Sequence, residues 1–339
     1  MAKTLEILHV HESEQLQYLC ERLQGSAWLA IDTEFLREKT YYPKLCLLQL
    51  ANESIIACVD PLSIEDLTPL FDIIYDQNIV KVLHSARQDY EIFFHLTGKL
   101  PAPVFDTQIA AAICNSDEQI SYAALVEQVV GCVLEKGCTR TDWTQRPLAV
   151  EQYKYAEDDV RYLGEIYTVQ KQMMQDQGVL AWHAQECQAL LSAETYQVAP
   201  QNMWLRIKEH RRLKASQLVV LQQLAAWREE QAIKRNKPRR WILKDEVLVD
   251  LARYQPEELI QLEKVKGLSE NFLARHSENI LTIIKQAKVL PSEQWPSIPK
   301  RKKLGIEEQA KEDVMMAMIH RCLADQRHHH IFFSLFFNT

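Results

Sequence analysis

The sequence predicts an α/β or α+β fold with a mixed sheet over residues 1–190, followed by an all-helical unit over residues 203–289. Three observations carry this expectation. Short apolar strands alternate with helical stretches from Leu5 to about Leu190. Three of those strands follow one another with no helix between them, as antiparallel neighbours do. From Met203 to Ala287 no segment has a strand pattern.

Taken in order, Trp28–Phe35 is an apolar strand that ends in acids. Leu45–Leu50 follows a short connection carrying Pro43, and Ile55–Val59 is closed by Asp60-Pro61. Leu62–Tyr75 and Asp89–Leu96 have helical spacing, with the strand Val80–His84 between them. In the second unit, Leu218, Leu221, Leu224, Ala225 and Trp227 share a helical spacing, and Asp245 opens a helix bearing Val247, Leu248 and Leu251. Pro256 stands where a first helical turn tolerates proline, ahead of Leu259 and Leu262. Asn279–Ala287 is a further helix. Leu290–Lys303, with three prolines and a closing Lys-Arg-Lys-Lys run, reads as a linker, and Ile306–Leu323 as an amphipathic helix.

Composition narrows the function classes. Hydrophobic residues at 47% and charged residues at 25% exclude a disordered chain. Only 8 glycines in 339 residues argue against glycine-rich phosphate loops. The 8 cysteines show no C-x-x-C spacing and sit mostly in apolar runs, so they are expected reduced in a core, in a cytoplasmic chain. No apolar leader is expected at the N-terminus, and no stretch is long enough to span a membrane. Net charge is −7, yet Met203–Lys244 holds 12 Lys and Arg against 3 Asp and Glu. An acidic body with one basic stretch fits a protein that meets nucleic acid locally.

The chemistry lies in carboxylates. Asp32 and Glu34 are two apart on a strand and share a face, with Thr33 turned away. Like charges so held repel unless a cation lies between them; the plainer alternative is a strand running out into water. Asp89 lies in the strand-to-helix turn His84–Asp89, where an N-cap is the default role. Tyr155 and Asp159 are i, i+4 and share a helix face. Asp158 turns about 100° away, toward solvent, and Tyr153 falls on another face. Lys136, Arg140 and Arg146 could meet a nucleic-acid backbone or pair with surface acids. Asp142 and Trp143 read as a turn and an anchor. In the basic stretch, Arg239 and Arg240 are candidate phosphate contacts. Trp241 could stack on a base, though packing in the helical core is the favoured reading.

A D-x-E strand, an Asp at a turn and Y-x-x-x-D on a helix, in that order, resemble the DEDD 3′–5′ exonuclease superfamily in its tyrosine subclass, and within it the ribonuclease D family. Phe105–Ala111, Lys136–Trp143 and Arg146–Leu148 resemble that family's stretches around its second and third motifs. Leu224–Glu229 and Pro238–Asp245 resemble the HRDC (helicase and RNase D C-terminal) domain. The resemblance implies a ribonuclease H-like exonuclease domain followed by HRDC. It also implies two Mg²⁺ or Mn²⁺ ions per active site. Asp32, Glu34 and Asp159 would hold one ion, Asp32 would bridge to the second, and Asp89 would support that second site. Tyr155 would orient the attacking water. The implied activity is trimming of precursor tRNA and other structured RNA from the 3′ end, releasing 5′-mononucleotides, by a monomer without membrane attachment. A proofreading-type DNA exonuclease and a non-catalytic RNA-binding adaptor are the alternatives. The family carries a second HRDC-like module, whereas residues 304–339 hold room only for part of one. Their His328–His330 run and Phe-rich ending look like a truncated or frameshifted reading.

Overall fold

The structure is a computed structural model that describes residues 5–114, 119–135, 141–297 and, from 305 to 317, all but 306, 307, 309 and 312. The described chain divides into two compact units. The first runs to Leu36 and from Pro43 to Tyr196. The second runs from Gln197 and also includes Arg37–Tyr42.

The first unit is built from β1 (Glu6–Val10), α1 (Ser13–Leu23), β2 (Trp28–Leu36), β3 (Lys44–Ala51), β4 (Ile55–Val59), α2 (Thr68–Ile74), β5 (Val80–Leu83), α3 (Arg87–Thr97) and β6 (Val104–Asp106). There follow α4 (Thr107–Ile113), α5 (Tyr122–Val130), α6 (Val150–Arg161), α7 (Leu163–Asp176) and α8 (Leu180–Cys187). The strands form one mixed sheet in the order β1-β4-β3-β2-β5-β6. The β2-β3-β4 run is antiparallel, as the missing helices foretold, while β1, β5 and β6 add on in parallel.

Both sheet faces are apolar, so both are covered. On one face Leu29, Ile31, Leu48, Leu50, Ala57 and Val59 pack with Leu16 and Leu19 of α1, Leu70 of α2, and Tyr90 and Phe93 of α3. On the other, Ala30, Ala51, Ile56 and Val82 meet Val160, Leu163 and Tyr167, and Leu47 and Cys58 meet Ala156. Gly164 opens α7 against the Trp28 indole; a Cβ there would lie 2.1 Å from the ring, so any larger residue would push the helix off the sheet.

The helix expected from Leu62 starts only at Thr68. The Asp60 carboxylate accepts from the Leu62 amide at 2.9 Å and holds that stretch in a turn, and Pro69 occupies the first helical turn. The second unit packs α9 (Ala215–Arg235), α10 (Arg239–Ile242), α11 (Asp245–Tyr254), α12 (Leu259–Leu262) and α13 (Glu270–Lys288). Its core joins Leu221 and Leu224 to Leu248, Leu251, Ile280 and Ile284. Pro256 stays in a loop, because Gln255 ends α11 in the left-handed region, and the last helix begins nine residues before the expected Asn279. Described residues from 308 to 317 are helical. Lys136, Arg140, Cys138, Cys322 and the Phe-rich ending lie outside the described residues.

Candidate active site

β2 delivers the first two carboxylates. Asp32 and Glu34 follow Ala30 on the face that α6 and α7 cover, and the β2–β3 register shifts just after Glu34. Asp159 of α6 completes the group: one carboxylate oxygen from each of Asp32, Glu34 and Asp159 lies within 4.8 Å of the others. This is the only such His, Cys, Asp and Glu group among the described residues.

Asp89 arrives from the other side. The turn between β5 and α3 puts Ser85 at φ 60°, a left-handed conformation costly for a non-glycine residue. The Asp106 carboxylate holds it there, accepting from the amides of Ser85 at 3.1 Å and Ala86 at 2.8 Å, and from Gln108 at 2.8 Å at the start of α4. Asp89 then sits in the first turn of α3, buried, and accepts a 2.5 Å hydrogen bond from the Thr33 hydroxyl. Thr33 faces away from Asp32 and Glu34 as strand alternation requires, and it uses that orientation to hold the fourth acid. Asp89 is no N-cap residue; Ala86 occupies that position.

α6 lies across β2, β3 and β4, seated by the fully buried Ala156 against Leu47, Cys58 and Trp143. A bulkier side chain at 156 would lift the helix, at about 1–3 kcal/mol for overpacking. The Tyr155 hydroxyl hydrogen-bonds Asp159, and the Trp143 ring packs 6.1 Å from the Tyr155 ring, the anchor expected of that residue. Tyr153 does face elsewhere, stacked on His9 at 3.9 Å. Asp158 departs from the expectation of a solvated side chain: it is half-buried and accepts from Arg161 at 2.8 Å.

Among the described residues no cation neutralises the cluster, and the acids respond. Burial, then Asp89, Asp159 and Glu34, push the Asp32 carboxyl well above the usual carboxylate range. Burial and the neighbouring Asp159 and Asp89 raise Glu34 to about 8. Burial raises Asp89 and Asp159 to about 7 each, against the opposing hydrogen bonds from Thr33 and Tyr155. The Tyr155 phenol is raised as well, by burial and by Asp159, so it stays protonated at neutral pH. Converging buried oxygens that resist ionisation fit a hard divalent cation, which takes carboxylate oxygen and restores their charge.

The cationic candidates separate. Arg146 spends all five of its N–H donors inside the protein: on both Asp60 oxygens at 2.5 and 2.7 Å, and on the carbonyls of Cys46, Trp143 and Gln145. That corrects its candidacy for a phosphate contact. Arg239 is likewise committed, to the fully buried Glu229 at 2.6 Å and to the Tyr41 ring. Arg240 remains largely exposed, 3.3 Å from Glu246. The favoured core placement of Trp241 is wrong: its indole is 61% exposed, with the Lys237 ammonium 5.8 Å from the ring centroid. Helix α10 is too short to bury one face, so its aromatic stays outside. Sequence reasoning also passed over Gln49, a polar residue at an inward position two after Leu47 in an otherwise apolar strand, which was the available signal.

The fold and its acidic cluster define a 3′–5′ exonuclease with an HRDC domain. Residues 7–175 match the 3′–5′ exonuclease family and residues 217–284 the HRDC domain family. The chain is 42% identical to the ribonuclease D of Zymomonas mobilis subsp. mobilis over 86% of this chain and 76% of that one. It is 36% identical to the ribonuclease D of Bartonella henselae over 91% and 77%. Its structure is similar to that of Escherichia coli RNase D, an exoribonuclease involved in structured RNA processing, with a TM-score of 0.83 and 32% identity over 96% of this chain and 86% of that one. The chain belongs to the ribonuclease D family and is a 3′–5′ exoribonuclease.

Proposed function

We propose that the enzyme trims the 3′ ends of precursor tRNAs and other structured RNAs by two-metal hydrolysis, releasing 5′-mononucleotides. The observation that carries this reading is the convergence of Asp32, Glu34 and Asp159 within 4.8 Å, with Asp89 behind them and no cation among them in the described residues. Asp32, Glu34 and Asp159 would hold one ion, and Asp32 with Asp89 would support the second. Two Mg²⁺ or Mn²⁺ ions bound there supply an activated water and stabilise charge on the attacking and leaving oxygens. Tyr155, hydrogen-bonded to Asp159, would orient the attacking water through its hydroxyl. Thr33 holds the Asp89 carboxylate in place by its hydroxyl.

The helical unit captures the RNA body. Arg240 and Trp241 are exposed side by side on α10, a cation for a phosphate beside a ring for a base. The similarity to the E. coli enzyme supports a structured substrate. The free thiols of Cys46, Cys58 and Cys187 fit a reducing cytoplasm, and among the described residues no helix is long and apolar enough to cross a membrane.

The test is a 5′-labelled precursor tRNA with a 3′ extension, alongside DNA of the same sequence, incubated with Mn²⁺, with Mg²⁺ and with EDTA. Stepwise shortening of the RNA from its 3′ end, abolished by EDTA, is expected; EDTA-resistant shortening overturns the metal mechanism. Arg240→Ala with Trp241→Ala should raise KM for long RNA several-fold and lower the salt slope by about one unit. Values of kcat and the kinetics on short oligonucleotides should not move; unchanged KM at every salt concentration removes the capture role.

A further inference from the structure

Gln49 stands in the middle of β3, 0% exposed, and neither its amide nitrogen nor its amide oxygen has a hydrogen-bond partner among the described residues. A buried amide with both ends orphaned is costly and rare in a core. Its position is specific. Gln49 is paired in register with Asp32 on β2 and with Cys58 on β4, and Cys58 in turn with His9 on β1. Residues directly opposed in antiparallel strands share a face, with Cβ atoms about 4.5–5.5 Å apart. Asp32, Gln49, Cys58 and His9 therefore form one polar row across four strands, on the face that α6 covers. The far end of the row is satisfied, since His9 bonds Glu157 at 2.9 Å and stacks on Tyr153. Cys58 is a buried free thiol, a weak hydrogen-bonding group. Asp32 is the one carboxylate in the row, and it lies next to the orphaned amide.

We infer that Gln49 is a positioning residue for Asp32: when a divalent cation is bound, its amide N–H donates to the Asp32 carboxylate and fixes the angle at which that carboxylate meets the ion. This rests on the proposed metal site. Ligating carboxylates are held by hydrogen bonds from groups that do not touch the metal, and losing such a bond costs affinity. Asp32 already accepts a backbone hydrogen bond at Thr33, and Gln49 stands opposite it across the strand pair. The orphaned amide belongs to the metal-free state, and cation binding gives it a partner.

The test substitutes Gln49→Met in the full chain, keeping the volume and removing the amide. Mn²⁺ affinity, measured by electron paramagnetic resonance, should weaken about tenfold. The Tm in EDTA should stay level or rise, and the Tm gain on adding Mn²⁺ should shrink. Wild-type Mn²⁺ affinity in the variant overturns the assignment. Wild-type protein offers a second measurement that does not depend on the variant folding: the Gln49 side-chain amide resonance should shift, and its hydrogen exchange slow, on Mg²⁺ titration. An unmoved resonance overturns the assignment equally. Asp32→Asn is the control: wild-type Mn²⁺ affinity in that variant would sink the metal site itself, a different failure.

Discussion

Asp60, just past the end of β4, and Asp32, within β2, belong to the same sheet, and folding treats them oppositely. Burial works to raise both. At Asp60, hydrogen bonds from Arg146 and from the Leu62 amide reverse that and hold the carboxyl below its ordinary value. At Asp32 the backbone hydrogen bond from Thr33 does not outweigh it, and Asp89, Asp159 and Glu34 add to the repulsion. Asp60 has its own cation in Arg146, whereas among the described residues this cluster has none, and its charge is free to be met from solution. The difference can be broken from either side.

The largest effect is expected at Asp32. Asp32→Asn removes a ligand to both ions and should cost several kcal/mol of transition-state stabilisation, about 10³-fold or more in kcat. Tm in EDTA should be unchanged or higher, because one repelling carboxyl is gone. Near-normal turnover in the purified variant would rule out the assignment. Tyr155→Phe should lower kcat by about 10²-fold with Mn²⁺ affinity intact, as expected for one water-orienting group. Tyr153→Phe should leave kcat in place; the reverse pattern would mean that the register of α6 is misassigned.

Arg146→Met attacks the paired acid instead. It strands the Asp60 carboxylate, whose side chain is 2% exposed, and should cost about 3 kcal/mol, the low end for a broken buried pair because the guanidinium is a quarter exposed. Urea unfolding measures this, and the folded fraction should keep the wild-type kcat. A loss of kcat without a loss of stability would restore Arg146 as an RNA contact.

The smallest effect is on pH. Asp32, Glu34, Asp89 and Asp159 have raised pKa values in the folded, metal-free protein, against about 4 when unfolded. Between pH 4 and about 8 the native state thus binds more protons than the unfolded one, so this contribution to stability falls as pH rises. In EDTA, Tm should drop from pH 5.5 to 8, and saturating Mg²⁺ should flatten the slope. A steeper drop with Mg²⁺ would contradict the cluster's role.

The acid site was legible because its signals are local. Asp32 and Glu34 two apart on a strand, and Tyr155 and Asp159 four apart on a helix, each specify a shared face without reference to the rest of the chain. Long-range pairings were not legible in this way. Arg146 and Asp60 are 86 residues apart, and no pattern near either residue selects the other. Strands β1 and β6 are 5 and 3 residues long and are recruited by parallel pairing to β4 and β5, so their own sequences carry little signal. Trp241 was placed inside on composition, whereas exposure is set by the four-residue length of α10.

The connection between β2 and β3 leaves a practical constraint on anyone dividing this protein. Asn236, left-handed at the end of α9, accepts from the backbone amides of Tyr41 and Tyr42 at 3.0 and 3.1 Å. The Tyr41 hydroxyl donates to the buried Glu229, which Arg239 also holds. Residues 37–42 are thus a part of the helical unit spelled out 155 residues before the rest of it begins. A fragment cut at Gln197 keeps the HRDC helices and loses their first piece, and a chimera that grafts a foreign helical module onto this nuclease inherits a loop shaped for the old one.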